Sequence, residues 1–227
     1  MNTAATADAG GPAQRPLAIL GGTFDPVHLG HLRVAWEAAE ALDAEVRLLP
    51  ARQPPHRPQP VAGAAQRVAM LRAALAGQSR LGLDLRELER EGASYTVDTL
   101  ASLREEIGAQ RPLVLLLGQD ACAGLPTWHR WRELFERAHL AMLTRPAGMP
   151  AWPQALQAQW RRRLASSPAA LREAPAGRVL ALRVSALEIS ASHVRALLAA
   201  GREPRWLLPD ALLSDPALLA PYRIPRA

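Results

Sequence analysis

The sequence predicts an α/β fold in which a mainly parallel, doubly wound sheet carries helices on both faces. Short apolar runs alternate with helical patterns along most of the chain, which is the order of elements that builds such a sheet. Several runs, such as 113–117, are continuously apolar, as expected of strands buried on both sides. The chain has 227 residues, of which 49% are hydrophobic, so it can form one large core without metal or disulfide support.

The first 15 residues differ in composition from the rest of the chain. They are rich in Ala, Thr, Gly and Pro and hold almost nothing large enough to bury, so their contacts cannot offset the entropy lost on ordering. We therefore expect a disordered tail over 1–15 and a single domain over 16–227.

Predicted strands and helices alternate in order after the tail. The strands are predicted at 17–20, 46–49, 81–86, 113–117, 140–143 and 179–184. The helices are predicted at 30–41, 63–76, 97–107, 130–137, 154–165 and 192–200, and a small helical part follows at the C-terminus. The stretch 81–86 alternates apolar and polar residues, so it is expected near an edge of the sheet. Leu156, Trp160 and Leu164 recur every four residues and form one apolar helix face.

Cysteine and charge content exclude several classes of protein. A single cysteine, Cys122, rules out an internal disulfide framework and a cysteine-based zinc site, in agreement with a reducing compartment. The 27 cationic residues are all arginine, which excludes a lysine nucleophile, a Schiff base and a P-loop lysine. No metal site is predicted.

Macromolecular partners are not favoured either. The longest apolar runs fall far short of the roughly 18 residues that cross a bilayer, and the chain does not begin with a basic region followed by an apolar one. We expect a soluble, cytoplasmic protein with no membrane partner.

The net charge of +6 is spread along the chain, so nucleic acid is not a favoured partner. The sequence does not indicate the oligomeric state.

The first predicted strand runs directly into a corner that predicts a phosphate-binding site. Gly21 and Gly22 allow the backbone to approach a ligand closely, and the helix that follows directs its positive end at an anion. His28 and His31 lie on one face of the first helical turn, where both can reach one phosphate group. Gly30, between them, leaves room for a nucleotide. The alternative is an ordinary turn in which both histidines are partly buried polar residues.

A second motif, residues 189–195, follows the last predicted strand. Ser190 or Ser192 can cap the helix that begins there, and Arg195 returns to the same face as Ser192. Its planar guanidinium can bind phosphate oxygens through two parallel hydrogen bonds. A plain helix cap with a solvated arginine explains the motif better on its own, but together with the first corner it favours a phosphate site.

These two motifs resemble signatures of a known family. GGTFDPVHLGH, residues 21–31, resembles the (T/H)xGH signature of the nucleotidyltransferase superfamily, and in its full length it is similar to nicotinate-nucleotide adenylyltransferases. ISASHVR, residues 189–195, resembles the ISxTxxR motif of the same family, with Ser192 where threonine is commonest. The resemblance continues through 50–57, 94–96, 118–120 and 126–128, and it implies a Rossmann-like fold.

The resemblance implies an enzyme that transfers AMP from ATP to nicotinate mononucleotide, giving deamido-NAD and pyrophosphate for NAD biosynthesis. Mg²⁺ is expected to come with ATP, since no carboxylate cluster is available for it. The implied catalytic residues are His28, His31 and Arg195. The implied ATP-binding residues are Gly21, Gly22, Thr23, Phe24, Gly30, Arg57, Ser190 and Ser192. The implied mononucleotide-binding residues are Tyr95, Thr96, Asp120, Trp128 and His129.

The mononucleotide residues suit the chemistry of their ligand. The resemblance implies that Trp128 stacks on the electron-poor nicotinate ring and that amides at Tyr95 and Thr96 receive its carboxylate. Asp120 follows the fourth predicted strand, where it can accept hydrogen bonds from ribose hydroxyls. For His129 the resemblance supports a main-chain contact to the carboxylate but no side-chain role. The alternative for Trp128 is an ordinary core residue.

Several alternatives remain open. Arg57 can reach the triphosphate or can simply lie in an exposed basic loop. The protein can be another adenylyltransferase of the superfamily, of the nicotinamide-mononucleotide or phosphopantetheine type, or a nucleotide sensor without turnover. RNA binding through the arginines would require a salt-sensitive affinity that ATP does not disturb.

Overall fold

The computed structural model describes residues 15–52, 59–92, 94–144, 152–185 and 187–223. Six strands form one sheet in the order β3-β2-β1-β4-β5-β6, and the pairings between them are all parallel. The strands are β1 (Leu17–Gly22), β2 (Glu45–Pro50), β3 (Leu81–Leu83), β4 (Leu113–Gly118), β5 (His139–Thr144) and β6 (Val179–Arg183). The strand order reverses between β1 and β4, which is where ligands bind in open parallel sheets.

Helices connect successive strands. The α-helices are α1 (Leu29–Leu42), α2 (Ala64–Leu75), α3 (Arg86–Glu89), α4 (Thr96–Ile107), α5 (Gln119–Gly124), α6 (Leu134–Arg137), α7 (Gln154–Arg163), α8 (Ala191–Ala199) and α9 (Asp210–Leu213). In the described part of the chain, four short 3₁₀ segments lie at Leu125–Thr127, Trp131–Glu133, Pro168–Arg172 and Pro216–Tyr222. Among the described residues, no helix is long and apolar enough to cross a membrane.

The core consists of two apolar layers, one on each face of the sheet. Leu20 and Leu116 belong to the layer that α1, α2 and α8 cover, whereas their neighbours Ile19 and Leu115 belong to the layer that α4 and α7 cover. Successive strand residues point to opposite faces, so continuous apolar runs satisfy both layers. The predicted doubly wound, Rossmann-like α/β fold is confirmed.

Two predicted helices differ from those in the structure. The segment 130–137 is not one helix, because Arg130 has a left-handed backbone with φ of +51° and cannot continue a helical turn. A 3₁₀ turn and the short α6 replace it.

The apolar helix face predicted over 154–165 is shorter in the structure than in the prediction. Leu156 and Trp160 are buried, but α7 ends at Arg163 and Leu164 is 58% exposed.

The ends of the predicted domain also differ in detail. The predicted tail, residues 1–15, lies outside the described residues except for Arg15, whose main-chain oxygen accepts a hydrogen bond from Nε of Arg111 at 2.8 Å. The described residues therefore include Arg15, which the sequence analysis assigned to the tail. The helical C-terminal part is present as α9 and the 3₁₀ turn after it. Leu212 and Leu219 of this part are fully buried in the core layer that includes α2.

Candidate active site

The corner between β1 and α1 is formed by residues 21–28. A Cβ atom on Gly22 would lie 2.9 Å from Cζ of Phe24, so this glycine makes room for the phenyl ring. The Phe24 residue is 1% exposed, and its φ is +50°. A contact from Phe24 to a nucleotide would therefore come from its main chain. Gly21 is exposed and Thr23 is half-buried at the surface of the corner.

The two histidines stack on each other at the start of α1. Their ring centroids are 3.7 Å apart, and the main-chain N–H of His28 donates to Nδ1 of His31 at 3.3 Å. His28 is buried, and within the part of the chain that the structure describes its Nδ1 has no hydrogen-bond partner. A Cβ atom on Gly30 would lie 3.0 Å from this Nδ1. Gly30 thus makes room for the His28 ring, where the sequence analysis expected room for a nucleotide.

Burial controls the protonation of this corner. It lowers the pKa of His28 from 6.5 to about 4, so the ring is neutral at neutral pH. The N–H groups of Leu29 and His31 already donate to the main-chain oxygens of Leu207 and His28, each at 2.9 Å. These two helix amides are therefore already paired within the protein.

Arg195 joins the second motif to this corner. Ser190 caps α8, since its Oγ accepts a hydrogen bond from the N–H of His193 at 3.2 Å. Ser192 instead accepts a hydrogen bond from Nη2 of Arg195 at 3.3 Å. Nη1 of Arg195 donates to the main-chain oxygen of Asp25 at 2.7 Å. The structure therefore brings the second motif against the glycine-histidine corner.

A second cluster forms where α4 meets the loop at 125–133. The ring of Tyr95, which is the N-cap of α4, lies 4.4 Å from the ring of His129 between centroids. Nη1 of Arg130 lies 3.6 Å from Oδ1 of Asp98 and makes a second link between the same two segments. Thr96 is the first residue of α4, one residue before the predicted start of this helix. The loop therefore lies against the positive end of the helix dipole.

Trp128 and Asp120 lie on the same side of the sheet as this second cluster. Trp128 is half-buried and packs against the apolar layer, so its indole is neither a core residue nor a free surface group. Asp120 is exposed in the first turn of α5, which begins directly at the end of β4.

The two clusters flank the reversal of strand order. β1 and β4 are paired in parallel with Leu20 opposite Leu116, so Gly22 and Gly118 end side by side at one edge of the sheet. The corner with the histidines follows β1, and α5 with the 125–133 loop follows β4. In sheets of this kind the ligand crevice lies at this reversal of strand order. Its β1 side carries imidazole and guanidinium groups, and its β4 side carries aromatic rings and a helix N-terminus. This arrangement suits two ligands, one with phosphates and one with an aromatic ring and an anionic group.

Comparison with known proteins identifies the family. A model of the cytidylyltransferase-like family matches residues 19–197. A protein of Halorhodospira halophila, named a probable nicotinate-nucleotide adenylyltransferase, is 51% identical over 199 residues, which cover 87% of this chain and 91% of that protein. The chain belongs to the nicotinate-nucleotide adenylyltransferase family. A relative of the same name in Pseudomonas syringae pv. tomato is 47% identical and covers 93% of this chain and 95% of its own.

Solved structures share the fold of this nicotinate-nucleotide adenylyltransferase family member. The Plasmodium falciparum nicotinic acid mononucleotide adenylyltransferase complexed with NaAD has a TM-score of 0.63 at 15% identity, covering 88% of this chain and 96% of that one. The same enzyme complexed with APC has a TM-score of 0.62. At this level of identity the likeness concerns the fold.

One of the expected site residues cannot be placed. Arg57 lies in the stretch 53–58, outside the described residues, so its expected contact with the triphosphate stays a prediction. The other fifteen expected site residues are all described.

Three residues that hold the corner together were not predicted from the sequence. Asp25 is buried, and its carboxylate accepts a hydrogen bond from the hydroxyl of Tyr222. Arg67 of α2 is 1% exposed, and its Nη1 donates to the main-chain oxygen of Thr23 at 2.7 Å. A charged residue within the apolar pattern of α2 was the available signal for Arg67. No local pattern could have paired Asp25 with Tyr222.

A buried carboxyl lies under the start of α4. Glu87 is 7% exposed and accepts a hydrogen bond from the hydroxyl of Thr99 at 2.9 Å. Nη1 of Arg90 donates to the same hydroxyl at 3.3 Å. Burial raises the pKa of Glu87 from 4.5 to about 7, which the hydrogen bond from Thr99 offsets only in part.

This raised pKa predicts a specific pH dependence of stability. Between pH 4.5 and about 7 the folded protein binds a proton at Glu87 that the unfolded chain has released, so this contribution to the free energy of unfolding falls as pH rises. The free energy of unfolding of Glu87→Gln, relative to that of the unsubstituted protein, should therefore increase as the pH rises from 5 to 8. Urea unfolding of both proteins at each pH would measure this difference. Parallel stability curves for the two proteins would contradict the assignment.

Proposed function

We propose that this protein transfers AMP from ATP to nicotinate mononucleotide and produces deamido-NAD and pyrophosphate. The observation that carries this proposal is the pair of unlike clusters on the two sides of one crevice. His28, His31 and Arg195 suit the phosphates of ATP, and Tyr95 and Trp128 suit an aromatic acid. Family membership supports the same reaction.

ATP would lie at the corner between β1 and α1. Its phosphates would meet the backbone of residues 21–24, and Ser190 and Ser192 would border the nucleotide beside Gly30. His28, His31 and Arg195 would direct hydrogen bonds at the oxygens of the α-phosphate. Such donors stabilise the negative charge that develops during the reaction.

The mononucleotide would lie on the other side of the crevice. Trp128 would stack on the pyridine ring, and main-chain amides at Tyr95, Thr96 and His129 would receive the carboxylate. The N-terminus of α4 favours an anion at this position. Asp120, exposed at the end of β4, would accept hydrogen bonds from the ribose hydroxyls.

The reaction joins the two substrates directly. A 5′-phosphate oxygen of the mononucleotide attacks the α-phosphorus of ATP, and the bond from that phosphorus to the bridging oxygen of pyrophosphate breaks. The phosphate nucleophile is already ionised at neutral pH, so no general base is needed. The protein holds the two anionic reactants in line and stabilises the charge on the oxygens.

Mg²⁺ enters this proposal as part of the ATP substrate. Among the described residues there is no group of three or more His, Cys, Asp or Glu side chains that could hold a metal ion. The triphosphate itself supplies the oxygen ligands that Mg²⁺ prefers.

The proposed function predicts a preference for the acid. With ATP and Mg²⁺, kcat/KM should be higher for nicotinate mononucleotide than for nicotinamide mononucleotide, because the neutral amide lacks the charge that the N-terminus of α4 attracts. Mass measurement of the dinucleotide product with each substrate checks this. Equal values for the two would contradict the acid preference, and the absence of any dinucleotide would contradict the proposed function.

His31 should contribute directly to turnover. His31→Ala should lower kcat by on the order of 10²-fold, the usual effect of removing one preorganised donor from a transition state. Pyrophosphate release at saturating substrates measures it. His193→Ala is the matched control, because this histidine is exposed on α8, and it should keep a kcat close to that of the unsubstituted enzyme. A His31→Ala enzyme with unchanged kcat would exclude His31 from catalysis.

Trp128 should determine the affinity for the mononucleotide. Aromatic stacking on a base contributes about 1–3 kcal/mol, so Trp128→Ala should raise the KM for nicotinate mononucleotide roughly 10-fold while the KM for ATP stays constant. Trp206→Ala is the control, since Trp206 is 75% exposed on the segment between α8 and α9. Equal changes in both KM values would indicate loss of structure instead of loss of stacking.

A further inference from the structure

Asp25 joins three separate segments at the corner between β1 and α1. Its carboxylate accepts hydrogen bonds from the main-chain N–H groups of Val61 and Ala62, at 2.8 and 3.0 Å, and from the hydroxyl of Tyr222, at 2.7 Å. Its main-chain oxygen accepts a hydrogen bond from Arg195 at 2.7 Å. One buried residue therefore links the corner, the segment that enters α2 and the C-terminal turn.

The charge of Asp25 makes the hydrogen bond from Tyr222 important. A buried carboxylate is costly unless hydrogen bonds satisfy its oxygens, and the Asp25 side chain is 6% exposed. Burial, and then the hydrogen bond to Asp25, raise the pKa of Tyr222 above its usual range. The phenol therefore stays protonated and remains a donor at the pH of catalysis.

We propose that Tyr222 is a positioning residue for adenylyl transfer, which acts by fixing Asp25 and, through Asp25, Arg195. Without the hydroxyl, Oδ1 of Asp25 keeps the N–H of Ala62 but loses its second donor, so the residue is held less firmly. Asp25 in turn holds Nη1 of Arg195, which donates to its main-chain oxygen at 2.7 Å and lies 3.7 Å from Oδ2 of its carboxylate. The proposal rests on the function proposed above, because the reaction it concerns is the same.

The C-terminal segment is anchored independently of this hydroxyl. Leu219 is fully buried in the core, and Nε2 of Gln66 donates to the main-chain oxygens of Ala217 and Leu218 at 2.9 and 2.8 Å. Tyr222→Phe keeps the ring and removes only the donor. This variant should fold, so its kinetics report on the hydrogen bond.

Kinetics of deamido-NAD formation provide the first test. Tyr222→Phe should lower kcat roughly 10-fold, the effect of leaving a buried charged group one hydrogen bond short, while the KM for nicotinate mononucleotide stays constant. Leu219→Val is the matched control, since it removes a methylene from the same turn without touching Asp25. It should lower the free energy of unfolding but keep kcat. An unchanged kcat in Tyr222→Phe, or an equal loss in both variants, would overturn the proposal.

A double-mutant cycle tests whether the effect passes through Asp25. If Tyr222 acts only on this carboxylate, the combined variant Asp25→Asn with Tyr222→Phe should lose no more kcat than Asp25→Asn alone. Losses that multiply would show that the hydroxyl acts by another route, and they would overturn the proposed link.

Amide hydrogen exchange separates this inference from the proposed function, because it does not require turnover. The N–H groups of Val61 and Ala62 should exchange roughly 10-fold faster in Tyr222→Phe, whereas the N–H of Leu116 in β4 should be unaffected. If the unsubstituted protein forms no deamido-NAD, the proposed function fails, yet faster exchange at Val61 and Ala62 still supports the link through Asp25. Unchanged exchange overturns the link, whatever the activity.

Discussion

The reversal of strand order between β1 and β4 determines on which side of the sheet each cluster of the candidate site lies. These two strands are paired in the middle of the sheet, but the chain leaves them toward opposite faces. Residues of α1 and α2 fill one apolar layer, and residues of α4 and α5 fill the other. The carboxyl ends of these two strands are therefore where a ligand crevice is expected, and the N-terminus of α4 beside them favours an anion.

Arginine performs a structural task in this chain as well as an electrostatic one. The sequence contains no lysine, and the guanidinium group offers five donors in one plane. Arg67 holds the main-chain oxygen of Thr23, and Arg195 holds that of Asp25. Each cation thus fixes a loop while it adds positive charge beside the proposed phosphate site. A flexible ammonium group would supply the charge without the same geometry.

Much of the fold could be predicted because its signals are local. Continuous apolar runs identified the buried strands. The alternation at 81–86 placed a strand at the sheet edge, where β3 lies, although β3 ends at Leu83 and α3 begins at Arg86. The corner at 21–31 was also visible because strand, glycines and histidines follow one another. The partners of Asp25 were not visible, since Arg195 and Tyr222 lie 170 and 197 residues away and meet it only through tertiary packing. The left-handed backbone at Arg130, which ended a predicted helix, depends on its loop and not on a helical pattern.

The packed side chains beside Gly22 and Gly30 limit which residues can replace these glycines. Each glycine faces a buried ring of its own loop, Phe24 or His28, so even an alanine methyl group would displace packed atoms. Packing inside the corner therefore favours glycine at both positions. Gly21 has open space where a Cβ atom would be, so the fold places no such demand on it. Among natural or engineered variants, tolerance at position 21 reports on the ligand, whereas invariance at 22 and 30 is explained by packing.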